Sequence, residues 1–354
     1  MQYLYLRVFL FFSIMNQSCS LDSLTKVETN HLIKVDTLVS NFMVSNDKGL
    51  SWYGFDDYLP KDFEIISSSV DNDLLYLGSV NGEVLIMDLQ NPKKPVKDNV
   101  MLAILHQKPT SNHRVSGLFS TTSGMYAFVD QVGLFKKLKN SSFWQPMTNL
   151  DGIYFVDQLV EDKEGNIYIA CHYGVYRSSN QGRSWDRIFK YGYAKNIIVL
   201  ENSMFINGIN GLYRSIDQGK SWSSINMELE NINENELNNY HLLKSNNTIN
   251  VFKQPSASFF QTSTNQTLLA SNDDGKTWSN HTALKYLNSK TNIQSIFFDQ
   301  SELFCTTKNF VMYFDKTNNL WKEIIYFLNA QGNESAKPFL VGGLLVCIKT
   351  RQGC

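Results

Sequence analysis

The chain has 354 residues, 43% of them hydrophobic and 18% charged, and carries a formal net charge of −1. That apolar content supports a large folded core and excludes a charge-rich disordered chain. The near-neutral balance supplies no overall field toward nucleic acid or an anionic membrane surface, so neither is an expected partner.

The first element reads as a secretory signal peptide over residues 1–20. Arg7 supplies the positive start, Val8 to Met15 the apolar run, and Ser18-Cys19-Ser20 the small residues that place cleavage after Ser20. The apolar run falls short of the ~20 residues a bilayer span requires. The remaining chain, 21–354, is therefore expected to be secreted, or held in the lumen of the secretory pathway, without a membrane span. Sequons at Asn140, Asn246, Asn265, Asn280 and Asn333 agree with export and mark expected glycosylation sites. Loss of Cys19 with the leader leaves Cys171, Cys305, Cys347 and Cys354, an even count that permits two disulfides in three possible pairings. Cys171 reads equally well as a small buried apolar residue.

The rest of the chain is a repeat. Four octapeptides of the form S-x-[DN]-x-G-x-[ST]-W recur. They are Ser45-x-Asp47-x-Gly49 closing at Trp52, Ser178-x-Asn180-x-Gly182 closing at Trp185, Ser215-x-Asp217-x-Gly219 closing at Trp222, and Ser271-x-Asp273-x-Gly275 closing at Trp278. Trp144 and Trp321 end worn copies, so all six tryptophans occupy one place in the repeat. Before each full box, runs such as Asn166-Ile-Tyr-Ile-Ala and Val175-Tyr-Arg alternate apolar and polar residues, the signature of strands joined by hairpins. In the box, Asp accepts backbone amides of the turn, Gly supplies φ > 0, and Trp buries its ring against a neighbouring sheet.

Successive tryptophans from Trp144 onward lie 37 to 56 residues apart, the period of propeller blades. The gap from Trp52 to Trp144 holds two units, and within it Phe63 to Val70, Leu75 to Val80, Glu83 to Leu89 and Asn99 to Leu105 are expected to form a blade without a box. The C-terminal runs Phe339-Leu-Val and Leu344-Leu-Val-Cys-Ile offer two inner strands, and the segment around Ser45 offers outer ones. The expected fold is all-β: a single seven-bladed β-propeller of four-stranded antiparallel blades, closed by N- and C-terminal strands that share one blade.

The octapeptides resemble Asp-box (BNR) repeats, and Gly174-Val-Tyr-Arg-Ser and Gly211-Leu-Tyr-Arg-Ser leading into them look most like the sortilin/Vps10 and xyloglucanase-type branches of that β-propeller superfamily. The resemblance implies that the box residues are structural and lie on the face opposite the usual active site. The superfamily spans sialidases, endoglucanases, sorting receptors and assembly factors. A sialidase site requires three arginines that clamp a carboxylate through bidentate bonds. Of the arginines after the leader, Arg177, Arg183, Arg187 and Arg214 fall in or beside boxes, which leaves Arg114 and Arg351. No P-loop, dinucleotide fingerprint or zinc motif occurs, so no cofactor and no metal is expected, and no residue is assigned a catalytic role.

The loops opposite the boxes form the candidate binding face: Ser79-Val-Asn-Gly, Asp130-Gln-Val-Gly, Cys171-His-Tyr-Gly, Gly208-Ile-Asn-Gly and Thr306-Thr-Lys-Asn. They nominate Asp130, His172, Tyr173, Asn210 and Lys308 as ligand contacts. Long segments at Glu228 to Tyr240 and Gln254 to Gln266, the second carrying Phe259-Phe260, add possible binding loops. The expectation is a secreted, non-enzymatic propeller that binds a protein, peptide or glycan on this face. The alternatives are a glycoside hydrolase with a non-standard carboxylate pair, for which no pair stands out and Asp130, Asp157 and Asp299 are candidates by position that read first as solvated loop residues, and a truncated sortilin-like receptor ectodomain.

Overall fold

The computed structural model describes residues 42–351, apart from 46–52, 90–94, 101–112, 226–239, 254–265, 327–333 and a few single or paired positions. All described strands fall into four-stranded antiparallel sheets. Six are blades made of four strands consecutive in the chain, spanning residues 65–99, 115–146, 156–189, 194–224, 240–280 and 293–326. The first strands of neighbouring blades touch one another and so form the innermost ring of this β-propeller.

The expectation of seven blades is corrected here: the repeat runs to six. The four strands left over, two near each end of the chain, pair as one further sheet in the order Tyr53–Gly54, Phe42–Ser45, Leu344–Arg351, Glu334–Val341. It is a splice of the two ends rather than another copy of the repeat. Its two C-terminal strands run to eight residues each, against five to seven in the two inner strands of the blades. The register from Phe42 opposite Ile348 to Ser45 opposite Leu345 ties the two ends together.

The blade at 65–99 departs from expectation in its fourth strand, which is Val96–Asn99 and not a run from Asn99 to Leu105. An outermost strand faces water, so the alternating Val96-Lys97-Asp98-Asn99 suits it better than the apolar stretch that follows. Lys97 reaches back to Glu83 at 3.1 Å across this edge.

Apolar seams between blades hold the ring. Tyr126 and Phe128 of the second blade join Leu159, Ile167 and Ile169 of the third in one cluster, and Ile198 and Phe205 of the fourth join Leu242 and Val251 of the fifth in another. The described tryptophans sit in these seams. Trp185 lies against the Tyr126 cluster, Trp222 against Tyr168 and Phe189, Trp278 against Phe205, and Trp321 against Phe252 and Leu268. Trp222 Nε1 donates to Ile188 O at 2.9 Å, and Trp321 Nε1 to Ala283 O at 2.9 Å. Polar side chains stitch the same seams near the axis. Ser67 Oγ donates to Val115 O at 2.5 Å, the Ile197 amide to Gln158 Oε1 at 2.7 Å, and Asn196 Nδ2 to Leu242 O at 2.5 Å.

The octapeptide turns are closed by their own side chains. Ser215 Oγ accepts the Gly219 amide at 2.8 Å and donates to Asp217 Oδ1 at 2.8 Å. Asp217 accepts the Ser221 amide at 2.9 Å on one oxygen and the Ser221 hydroxyl at 2.5 Å on the other. Ser271, Asp273, Gly275 and Thr277 repeat the pattern, and Asn180 keeps the amide bond from Ser184 at 2.9 Å without a charge. Two consecutive residues of each turn, not the glycine alone, adopt left-handed backbone, as at Gln218 (φ 60°) and Gly219 (φ 84°). The glycine has a second role that its conformation does not reveal. A Cβ on Gly219 would come within 2.9 Å of Ile188, and one on Gly275 within 2.6 Å of Phe205, both in the preceding blade. Residues 46–52, which hold Asp47, Gly49 and Trp52, lie outside the described set. Just ahead of the boxes, Arg177 lies over the Tyr168 ring at 5.7 Å and Arg214 over Phe205 at 5.9 Å, each directly across the strand pair.

The expected use of cysteine is also corrected. Cys171 and Cys305 are free thiols at 0% exposure, each a small apolar residue on the second strand of its blade. Burial raises both pKa values. Cys347 belongs to the strand Leu344–Arg351, while its side chain and Cys354 fall outside the described residues.

Two outcomes test these turns. Gly165 has φ +82° with open space where a Cβ would sit, so Gly165→Ala isolates backbone strain, expected at about 1 kcal/mol. Gly219→Ala adds overlap with Ile188 and should cost about 1–3 kcal/mol more in chemical denaturation. Hydrogen bonds from the Ser221 hydroxyl and amide, and from Ser215, pull the Asp217 pKa from 3.8 down to about 2. A depressed carboxylate contributes stability above its unfolded pKa and loses it as pH falls toward the folded one. Asp217→Asn should therefore flatten the loss of thermal stability between pH 3.8 and about 2 relative to the parent protein.

Candidate ligand-binding face

Strand register decides which side chains share a face. Val156 pairs with Cys171 and Ala194 with Gly208, so the start of each innermost strand sits beside the turn between second and third strands. The octapeptides follow the third strands and lie at the other end. Connections between blades and the turns at 171–174 and 208–211 thus converge on one face, around the axis.

On that face the third and fourth blades gather aromatic rings. The connection ahead of strand Val156–Glu161 places Tyr154 and Phe155 at 67% and 43% exposure, the 171–174 turn places Tyr173 at 40%, and the connection ahead of Ala194–Val199 places Tyr191 at 58%. Several exposed large apolar side chains at one end of neighbouring blades mark a candidate contact site. His172 stands among them, 6.0 Å from Phe155, 5.3 Å from Tyr173 and 6.1 Å from Tyr193, ring centre to ring centre. Tyr191 stacks on Tyr213 at 5.9 Å with the rings 5° from parallel, and buried Phe189 props both. Tyr191 is thereby held from beneath.

Beside the rings, three innermost strands line an open cavity of about 280 Å³, formed by Asp157 and Gln158, Lys195 and Asn196, and His241 and Leu242. Tyr193 donates its hydroxyl to Asp157 Oδ1 at 2.9 Å, which links the aromatic rim to the cavity wall. Asp157 is exposed as a residue, yet its neighbours crowd the carboxyl, and this desolvation raises its pKa. The Tyr193 hydrogen bond and the charges of Lys195 and His172 oppose the rise. Desolvation likewise lowers the Lys195 pKa against the pull of Asp157, and raises that of Tyr193. The pair is thus a weakened anion beside a weakened cation, with little net charge between them.

The nominated contacts divide. His172 and Tyr173 are at the centre of this face. Asp130 is on the second blade, where it accepts the Ser116 hydroxyl and lies 4.0 Å from Arg114 Nε, so it braces its own turn. Asn210 and Lys308 lie outside the described residues, as do Phe259 and Phe260. Asp299 is corrected: it pairs with Glu302 at the end of its strand opposite the cavity, which removes it from the expected carboxylate pair. Sequence reasoning missed Tyr154, Phe155, Tyr191, Tyr193, Lys195 and His241. The signal available was the aromatic content of two short blade connections, Ile153-Tyr154-Phe155 and Tyr191-Gly192-Tyr193. Of the sequons, Asn246 and Asn280 are exposed, and Asn140, Asn265 and Asn333 fall outside the described residues. Among the described residues no group of three or more His, Cys, Asp or Glu is placed to hold a metal, and no helix is long and apolar enough to cross a membrane.

Both partners of Asp157 stabilise its charged form, so Tyr193→Phe and Lys195→Met should each raise the Asp157 pKa further. Titration of the side-chain carboxyl by NMR reads the shift, and a fall in either variant would contradict the assigned network.

No protein-family model matches the chain, and no curated protein does. Solved structures match its fold. The extracellular domain of the hybrid two-component system BT3049 from B. thetaiotaomicron aligns with a TM-score of 0.56 at 12% identity over 84% of this chain, which spans 41% of that one. YCF48 bound to D1 peptide aligns at 0.51 and 12% identity, over 82% of this chain and 93% of that one. A catalytically inactive virginiamycin B lyase from Staphylococcus aureus with quinupristin aligns at 0.55 and 12% identity, over 82% of this chain and 96% of that one. All are β-propellers, so these likenesses support that fold; at such identity they speak to the fold alone.

Proposed function

We propose that this chain is a secreted, non-enzymatic β-propeller of the Asp-box type that captures a ligand on the face opposite its octapeptides. The observation that carries the reading is the exposed aromatic platform of Tyr154, Phe155, Tyr173 and Tyr191 beside a polar cavity. Rigid amphipathic rings around a small pocket provide contact area at low entropic cost, the arrangement on which recognition surfaces rely. Propellers of similar fold hold the D1 peptide and quinupristin, which gives the reading precedent without naming this ligand. The leader at residues 1–20 and the exposed sequons Asn246 and Asn280 support placement in the secretory pathway. Asn246 ends the hairpin at the octapeptide side, so a glycan there would leave the aromatic face free.

A second reading rests on Asp157, whose raised pKa suits a general acid. Glycoside hydrolysis by the usual routes needs a second carboxylate about 5–9.5 Å away. Asp157 is the carboxylate among the residues that line the cavity.

Ligands selected from displayed peptides and arrayed glycans provide the test, with hydrogen exchange reporting where they bind. Protection is expected at 152–157, 172–175 and 190–196, with the octapeptides unaffected and the ligand recovered intact. Protection confined to 178–185 and 215–222 would overturn the assigned face. Ligand turnover that Asp157→Asn abolishes would establish the hydrolase in its place.

A further inference from the structure

The proposed binding face carries further detail about the chemistry of its ligand. The cavity wall mixes acceptors and donors: the Asp157 carboxylate, the Gln158 and Asn196 amides, the Lys195 ammonium and the His241 imidazole. Asn196 uses its amide nitrogen on Leu242 O, while its Oδ1 is buried with no hydrogen-bond partner among the described residues. A buried acceptor left in that state is costly unless a donor reaches it. Two charges of opposite sign line the same small space, so a ligand carrying one net charge would meet a repelling partner there. Arginine clusters that would suit phosphate or carboxylate ligands are not among these lining residues. The rim has the reverse character, since it offers flat faces, 40–67% exposed, with Tyr191 fixed parallel to Tyr213.

A complementary ligand is uncharged, rich in groups that both donate and accept, and provided with flat apolar faces. Hydroxyl groups donate and accept at once. A pyranose ring joins several hydroxyls at its edge to a C–H face that packs on an aromatic ring. On this basis, which rests on the binding role proposed above, we infer that the site takes a neutral oligosaccharide. Its sugar rings would stack on Tyr173 and Tyr191, and its hydroxyls would enter the cavity toward Asp157, Lys195 and Asn196. A peptide backbone shares the donors and acceptors but lacks the repeated stackable face, which makes peptides the competing class.

Isothermal titration of the full chain with cellohexaose, mannohexaose and chitohexaose tests the inference. At least one should bind, and Tyr173→Ala and Tyr191→Ala should each weaken it about tenfold, a loss in the range of one aromatic contact. Ile216→Ala, also a change of an exposed apolar residue (71%) but at the octapeptide end, should leave binding unchanged. Thermal melts establish that the variants fold. Because Tyr191 is 58% exposed, Tyr191→Phe, which keeps the ring, serves as a second variant and should retain binding. Absence of binding by all three sugars would overturn the inference, as would affinity indifferent to both alanine variants. Selection of a peptide at 172–175 and 190–196 in preference to these sugars would also overturn it, while leaving the proposed binding face standing. Ligand capture at the octapeptide end would remove both.

Discussion

The packing of one blade against the next is the constraint on which the rest of the molecule depends. A single four-stranded meander exposes two faces and cannot bury either alone, so each blade is completed only by its neighbours. Among the described residues, the tryptophans, the glycines Gly219 and Gly275 and the polar stitches lie on that seam. Trp222 fills it with an indole held to Ile188 O, Gly219 permits the turn to approach Ile188, and Gln158 and Asn196 fix the inner strands in register. Their effects are coupled, because an overlap introduced at the turn shifts the same surface that the indole occupies.

This architecture sets where chemistry can occur. Strands stacked outward from the axis present their ends on two faces, and the octapeptides consume one of them. Their carboxylates are fully committed: Asp217 and Asp273 bond to the amide and hydroxyl of the residue four positions on, which leaves them stabilised as anions and tied to the turn. At the opposite end the connections between blades need only cross from an outer strand to an inner one. That freedom permits exposed rings at Tyr154, Phe155 and Tyr191, the last of them packed on Phe189. The cavity beside them is lined by residues of three innermost strands, most of them polar.

Closure shows how a repeat can finish without a free edge. The chain ends are joined strand to strand, Phe42–Ser45 on Leu344–Arg351, so opening the ring requires breaking a sheet rather than a loop contact. The apolar runs at Phe339 and Leu344 and the box at Ser45 already point to that pairing, but its register is set in space. It follows from the geometry of the other blades, which brings the two ends together.

The repeat was legible in the sequence because its parts are local. Ser215, Asp217, Gly219 and Ser221 satisfy one another within seven residues, so their spacing alone announces the turn, and period-two alternation announces the strands that flank it. His172 and Tyr173 were legible for the same reason, as residues of a short turn at a known place in the repeat. The rest depended on distance. The fourth strand of the first blade was misplaced because an edge strand is defined by what it faces, and Asp299 because it ends its strand and so pairs with Glu302 at the octapeptide end of the blade. Cys171 and Cys305 proved to be packing residues, since pairing is set by proximity and not by number. The sequence by itself determined the unit of the fold, its turn chemistry and the face that the turns use. Only the tertiary structure decided how many units the chain completes, the register in which its expected end strands pair, and that Asp157, Lys195 and His241, from three different blades, meet Tyr193 around one cavity. Those contacts join residues far apart in the chain, and only the closed ring brings them together.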